Sequence, residues 1–232
     1  MSIRKELKLM VAHFEGCYLN AYKCPAGVWT IGYGHTGKLF GQNLAKGMKV
    51  TYKTADRLLE EDLEGTQKLL LKREKFKSCD NMFFKEGIIS FAFNCGCGNF
   101  DKIARGRDWY AIFVAFKDYC HAKVNGKSTV LRGLQYRRRQ ELKHMLQYPN
   151  KVNKIGDYQK ATTNVIQGML NEYRTKFNAD FKELKRDGCY GELTSRAVKN
   201  FQKRFKITVT GEVDKKTFEK LRLLSKLYDY KI

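Results

Sequence analysis

The chain has 232 residues, 43% of them hydrophobic, enough for one large domain or two modest ones with a real core. Lys and Arg outnumber Asp and Glu by 45 to 24, a formal net charge of +21 that concentrates the protein on anionic surfaces such as nucleic acid, acidic lipid or a phosphate-rich bacterial envelope. No helix-turn-helix, aromatic RNA-binding motif or zinc finger accompanies that charge, which argues against nucleic acid, and no run approaches the ~20 apolar residues of a membrane span.

The basic excess is distributed: residues 151–232 hold 19 Lys/Arg against 10 Asp/Glu, so a single basic tail does not explain it. The N-terminus, MSIRKELKLMVAHFEG, interrupts its apolar residues with charges and has no small-residue cleavage site. The expectation is synthesis in a cytoplasm without an export signal or anchor. The seven cysteines, at 17, 24, 79, 95, 97, 120 and 189, form no even framework and read as mostly reduced thiols. Cys95-Gly96-Cys97 is not a zinc-knuckle spacing and has no matching pair downstream, so no metal or other cofactor is expected.

Ile3, Leu7, Met10, Val11 and Phe14 recur at helical spacing, and Gly16 can stop that helix in a left-handed turn. From Cys17 to His35 the pattern turns to strand: Tyr18, Tyr22, Val28, Trp29, Ile31 and Tyr33 flank a Pro25-Ala26-Gly27 turn. Helices are then predicted from Thr54 to about Leu71, Asn81 to Phe93, Trp109 to Cys120 and Tyr136 to Leu146. The class is α+β, with a small sheet near the start and helices around it.

Tyr148-Pro149-Asn150-Lys151 ends the helical pattern and opens a linker. The division expected is 1–147, a linker at 148–160, and a second domain over 161–232 whose folded part runs from Ala161 to Leu227. That domain reads as three helices, about Thr163–Tyr173, Leu193–Arg204 and Lys215–Leu224, with Asp214 placed to N-cap the third.

The chemistry concentrates in FEGCYLNAYKCPAGVWTIGYGHTG, Phe14 to Gly37. Glycoside hydrolysis commonly uses a proton donor for the leaving oxygen and a second group on the other face of the sugar. Glu15 follows an apolar residue at a helix C-terminus, where the negative end of the dipole works against a charged carboxylate. Cys24 and Thr30 follow on the same hairpin. Aromatic residues there (Tyr18, Tyr22, Trp29, Tyr33) suit either the core or a sugar face.

Glu15, eight residues, Cys24, five residues, Thr30, then Ile31-Gly32-Tyr33-Gly34-His35, resembles the phage-type lysozymes of glycoside hydrolase family 24. Ser90-Phe91-Ala92-Phe93-Asn94 with Gly96, Gly98, Asn99 and Phe100 looks like that family's central helix and the turn after it. Leu131-Arg132-Gly133-Leu134 with Arg137-Arg138 and Glu141 looks like its late basic helix. The resemblance covers residues 1–147 and implies a lysozyme-like, mostly helical domain. Its activity would be a muramidase cutting the β-1,4 bond between N-acetylmuramic acid and N-acetylglucosamine. It makes Glu15 the general acid, puts Cys24 where Asp often stands, and has Thr30 place a water or the sugar. Asn94, Arg137, His35 and Tyr33 would bind substrate along the glycan cleft, with His35 bracing the hairpin rather than transferring a proton. A thiol with an ordinary pKa near ~8.5 is a poor base at neutral pH, so Cys24 stands open as base, nucleophile or small polar filler.

Asp187-Gly188, Tyr190-Gly191, Thr194, Ala197-Val198, Phe201-Gln202, Gly211, Val213-Asp214, Thr217 and Leu221 look like the three-helix peptidoglycan-binding domain. Tyr190, Arg196 and Gln202 are its expected exposed wall contacts. The two resemblances together imply a monomeric phage endolysin made in the host cytoplasm. It would reach the periplasmic cell wall through a pore made by another protein. A lytic transglycosylase on the same bond, and a wall-binding protein without activity, are the alternatives.

Overall fold

The computed structural model describes residues 2–124, 126–149 and 151–227. The chain divides into two compact units, one of residues 1–73 and 89–97, the other of residues 74–88 and 98–232.

The first unit begins with helix α1, Lys5–Glu15. Leu7 and Val11, one turn apart, are buried where α1 packs on helix α2, Tyr52–Leu70. Lys8 adds a second link, its ammonium 2.8 Å from Asp56 and 3.0 Å from Glu60 on α2. Gly16 ends α1 at φ 65°, ψ 163°, its N–H bonded to Ala12 O. That is the region open essentially to glycine alone, not the left-handed helical turn expected from sequence. It sends the chain straight into strand β1, Tyr18–Lys23, and leaves Glu15 as the last helical residue.

Strand β1 pairs antiparallel with β2, Trp29–Gly32, setting Tyr22 opposite Thr30 and Lys23 opposite Trp29. The turn between them is closed by Cys24 N–H to Val28 O at 2.9 Å and Gly27 N–H to Cys24 O at 2.8 Å. A second, minimal hairpin, β3 (Lys38–Leu39) with β4 (Gln42–Asn43), follows. Ile31, Leu39, Leu44 and Leu58 form the core beneath these strands, with Ala21, Trp29, Met48 and Val50 against it. Thr51 caps α2 by accepting from Thr54 N–H at 3.2 Å.

The second unit contains α3 (Glu74–Lys77), α5 (Cys97–Ala104) from its second residue, α6 (Trp109–Lys117), a hairpin of β5 (His121–Val124) and β6 (Lys127–Val130), and α7 (Arg132–Met145). Helix α4, Met82–Cys95, is shared between the units, its residues 89–95 belonging to the first. The C-terminal helices α8 (Lys160–Phe177), α9 (Glu192–Arg204) and α10 (Lys215–Leu224) complete the second unit. The mixed class with small two-stranded sheets is the one expected.

Helix α8 is buried on nearly all sides from Ala161 to Leu170, as the central member of its group must be. It meets α6 at Gly168, where a β-carbon would sit 2.2 Å from the Tyr110 ring, and Asn164 Oδ1 accepts from Tyr110 N–H at 2.9 Å. Asp80 caps α8 by accepting from Ala161 N–H at 3.1 Å. The 148–160 segment carries specific contacts of its own: buried Asn153 exchanges backbone hydrogen bonds with Val213, and its Oδ1 accepts from Gln159 N–H at 3.1 Å.

Candidate active site

Glu15, Gly34, His35, Thr36, Gly37, Asp62, Thr66, Phe93 and Asn94 line one polar cavity of about 440 Å³, all within the first unit. Four elements supply it: the end of α1, the loop after β2, and one face each of α2 and α4. Gly34 brings the loop backbone close to the carboxylate. At φ 93° it has a conformation that disfavours side chains, and a β-carbon there would sit 3.9 Å from Glu15 Oε2.

His35 is fixed from three directions. Its backbone exchanges two 2.9 Å hydrogen bonds with Ile31, Nδ1 lies 2.9 Å from Asp62 Oδ2, and Nε2 lies 3.4 Å from Lys38 O. The bond to Asp62 holds the imidazole pKa above its ordinary 6.5, against the opposing pull of burial. These contacts hold the His35 backbone and ring in place on the loop after β2. Asp62 and Thr66, one turn apart on α2, were not singled out from sequence. Asp62 follows Glu60 and Glu61 in an acidic run that reads as a solvated helix face, and only the His35 contact sets it apart.

Cys24 and Thr30 lie together on the hairpin. Thr30 is buried, and its hydroxyl donates to Val28 O at 3.1 Å while also standing within hydrogen-bonding reach of Cys24. One hydroxyl proton can turn to either acceptor. The Cys24 thiol is held below its ordinary value of 9.0 by backbone hydrogen bonds at Val28 and Ala26, with Thr30 adding to them and desolvation opposing. Tyr22, across the ladder from Thr30, has its hydroxyl pKa raised first by burial, then by the charges of Tyr18, Cys24 and Glu15. Tyr22 therefore stands within electrostatic range of both Glu15 and Cys24.

Several expected contacts take other places. Thr30 is 3% exposed, which leaves it little surface for a sugar and makes it a partner of Cys24. Tyr33 does not line the Glu15 cavity; its hydroxyl engages the Cys17 thiol. Arg137 is no cleft residue: it is 4% exposed on α7, its Nε donating to Glu141 Oε1 at 3.1 Å, a buried charge held by its partner. Asn94 does line the cavity, with its Oδ1 accepting from the Cys95 thiol at 3.2 Å.

In the C-terminal helices, Arg196 is exposed as expected, but Tyr190 and Gln202 are not wall contacts. Tyr190 is 2% exposed and donates to Gly211 O at 3.0 Å. Gln202 is fully buried. Its amide donates to Thr210 Oγ1, Glu212 O and Thr217 Oγ1, and its carbonyl accepts from the N–H groups of Thr210 and Gly211. A buried amide needs these partners, and here they fix the 210–212 loop on α9 and α10. Gln167 does the same on the other side, donating to Asp187 Oδ1 and accepting from Gly188 N–H, both at 3.0 Å. The polar motif residues are thus largely a scaffold.

The phage lysozyme family matches residues 12–141, and a peptidoglycan binding domain family matches residues 159–221. An endolysin of Acyrthosiphon pisum secondary endosymbiont phage 1 is 35% identical over 146 residues, covering 61% of this chain and 95% of that protein. Among solved structures, the muramidase domain of SpmX from Asticaccaulis excentricus aligns with a TM-score of 0.53 and 28% identity, over 63% of this chain and 99% of its own. The endolysin from Escherichia coli O157:H7 phage FAHEc1 aligns with a TM-score of 0.52 and 26% identity, over 65% of this chain and 98% of its own. With its cavity at Glu15 and more than half its length matched, the chain belongs to the phage lysozyme family.

Proposed function

We propose that this protein is a phage endolysin, a muramidase that hydrolyses the β-1,4 bond between N-acetylmuramic acid and N-acetylglucosamine in bacterial peptidoglycan. The observation that carries the reading is the placement of Glu15 at the mouth of a polar cavity in a chain of this family. In this reading Glu15 protonates the leaving glycosidic oxygen. Cys24, with its thiolate favoured by backbone N–H groups, supplies the second function as base or nucleophile, and Thr30 positions it. His35 and Asp62 hold the loop that carries Gly34 over the carboxylate.

Residues 1–147 carry the catalysis, 148–160 connect, and 161–232 hold the enzyme on the wall. Tethering raises the local concentration of enzyme at its insoluble substrate without any new catalytic contact. The endolysin is monomeric, is made in the host cytoplasm, and depends on a separate pore-forming protein to reach the wall. No helix among the described residues is long and apolar enough to cross a membrane.

The test is mass spectrometry of the soluble fragments released from purified peptidoglycan by wild type and Glu15→Gln. Reducing N-acetylmuramic acid ends from wild type alone support the reading. Anhydro ends, lighter by one water, would replace it with a lytic transglycosylase, and no fragments from folded wild type would leave a wall-binding protein.

A further inference from the structure

With Tyr190 and Gln202 buried, the wall contact of the C-terminal helices has to lie elsewhere. Besides the one at Asp187, whose carboxylate already accepts from the Gln167 amide and from Cys189 N–H, two depressions in the second unit have charged linings. The larger, about 470 Å³, includes Tyr110, Glu172, Arg186 and Lys226. Two of its charges are already matched: Glu172 accepts from the Tyr110 hydroxyl and from Lys226 N–H, and Arg186 pairs with Asp108 at 3.0 Å. A ligand would have to displace them.

The other depression, about 310 Å³, is lined by Tyr173, Asn178, Ala179, Asp180, Asn200, Lys203 and Arg204. Here Arg204 rests on a ring, and two cations outside the lining border the same pair of rings. Arg204 lies 4.8 Å from the centre of the Phe177 ring, Lys176 5.8 Å from the same ring, and Lys220 5.0 Å from the Phe205 ring. Phe177 and Phe205 contact each other edge to face at 5.7 Å, so these cations border one aromatic patch. A cation on an aromatic face keeps most of its charge for a further partner, which one locked against a carboxylate does not.

The lining is shaped for a polar ligand. Asn178 ends α8 in the left-handed conformation at φ 47°, a region Asn tolerates, and turns Ala179 and Asp180 into the rim. Asn200 Oδ1 accepts from the Tyr173 hydroxyl at 2.8 Å, which commits the carbonyl end and leaves the amide hydrogens as donors. Lys203 and Arg204 also oppose the negative end of the α9 dipole. The dipole accounts for two cations in the last turn, but not for a concave lining that adds two amides and one carboxylate.

We propose that this depression is the wall-contact site of the C-terminal domain and binds the stem peptide of peptidoglycan, through its carboxylates, rather than the sugars. Two cations and one carboxylate match a peptide with several carboxylates and one amine, whereas the peptide-bearing glycan, its lactyl carboxyls tied up as amides, offers no charge to meet them. The inference rests on the reading of this domain as a peptidoglycan binder.

The experiment measures binding of the full chain, in a Glu15→Gln background, to purified sacculi and to the synthetic stem tripeptide L-Ala-γ-D-Glu-diaminopimelate. The amidated tripeptide and an uncharged glycan, an oligomer of β-1,4-linked N-acetylglucosamine, serve as competitors. The K203Q/R204Q pair should lose about tenfold in affinity for sacculi and tripeptide, roughly the 1.4 kcal/mol of one decade. The control pair K215Q/K216Q, equal in charge but outside the depression, should lose far less, and the melting temperature should be unchanged in both. Competition by free tripeptide, but not by amidated tripeptide or glycan, supports the proposal. Equal loss in both pairs, retained binding in K203Q/R204Q, or competition by glycan overturns it. Failure of the parent chain to bind sacculi at all would instead sink the reading of the domain as a wall binder.

Discussion

The cavity at Glu15 and the aromatic depression at Phe177 and Phe205 are built on opposite principles. Around Glu15 the polar groups are held by one another: His35 by Asp62 and two backbone bonds, Cys24 by its own turn, Thr30 by Val28. At the C-terminal depression Arg204 rests on the face of the Phe177 ring. Catalysis requires groups fixed to fractions of an ångström before substrate arrives. Retention on a heterogeneous polymer requires charge that can adapt, and long side chains over rings provide that.

If the two regions divide the labour this way, variants should separate cutting from holding. The largest effect belongs to Glu15→Gln, which should lower the rate of wall solubilisation by about 10² to 10⁴ while leaving sacculus binding intact. Pull-down and turbidity assays on the same preparation test this, and a variant that lost both together would dissolve the distinction. Next comes Cys24. Cys24→Ala should lower the rate by about 10- to 100-fold, a smaller share of the same range, and Cys24→Asp should restore most of it. Because its thiol is held below 9.0, alkylation of Cys24 by iodoacetamide near neutral pH should outpace that of an unstructured cysteine peptide. Equal rates would leave Cys24 a filler.

Gly168→Ala acts on holding through stability. Its β-carbon would meet the Tyr110 ring at 2.2 Å, and overpacking of this kind typically costs about 1–3 kcal/mol. Denaturant unfolding should show that loss with specific activity per folded molecule unchanged.

The two regions also differ in how far they could be read from sequence. Helix α10 appears at its expected limits, Lys215–Leu224, because Asp214 is a local signal and does cap it, accepting from Thr217 N–H at 2.8 Å. The first hairpin was equally legible, since strand residues flank a turn. Helix α5 was not: Gly96 and Gly98 read as a terminus, whereas Gly96, at φ 83°, only separates two helices. The hairpin at His121–Val130 escaped because its described side chains are mostly exposed, which leaves no alternation of apolar and polar residues. Tyr190 and Gln202 misled for the converse reason. They are polar residues in a motif, and a motif does not say whether its polar atoms face solvent or a buried loop. Glu15 was legible because the motif that marks it, Cys24 through Gly37, ends within twenty-two residues, and Asp62 was not because its partner lies twenty-seven residues back across a fold.

The His35–Asp62 pair gives the smallest effect and the sharpest condition. Asp62 raises the imidazole pKa above 6.5, so folding favours the protonated form. The stabilisation is fully present below about pH 6.5, where the unfolded chain is also protonated, and is lost as the pH rises through the higher folded value. Asp62 is about a third exposed, so solvent screens the pair and about 1 kcal/mol is the scale expected. Asp62→Asn should therefore be less stable than wild type by roughly that amount at pH 5.5, and the two should converge above pH 8. Unfolding curves at both values test it. A deficit that is the same at both pH values would mean that Asp62 acts by packing and not by charge, and the loop over Glu15 would then owe its position to the Ile31 backbone bonds alone.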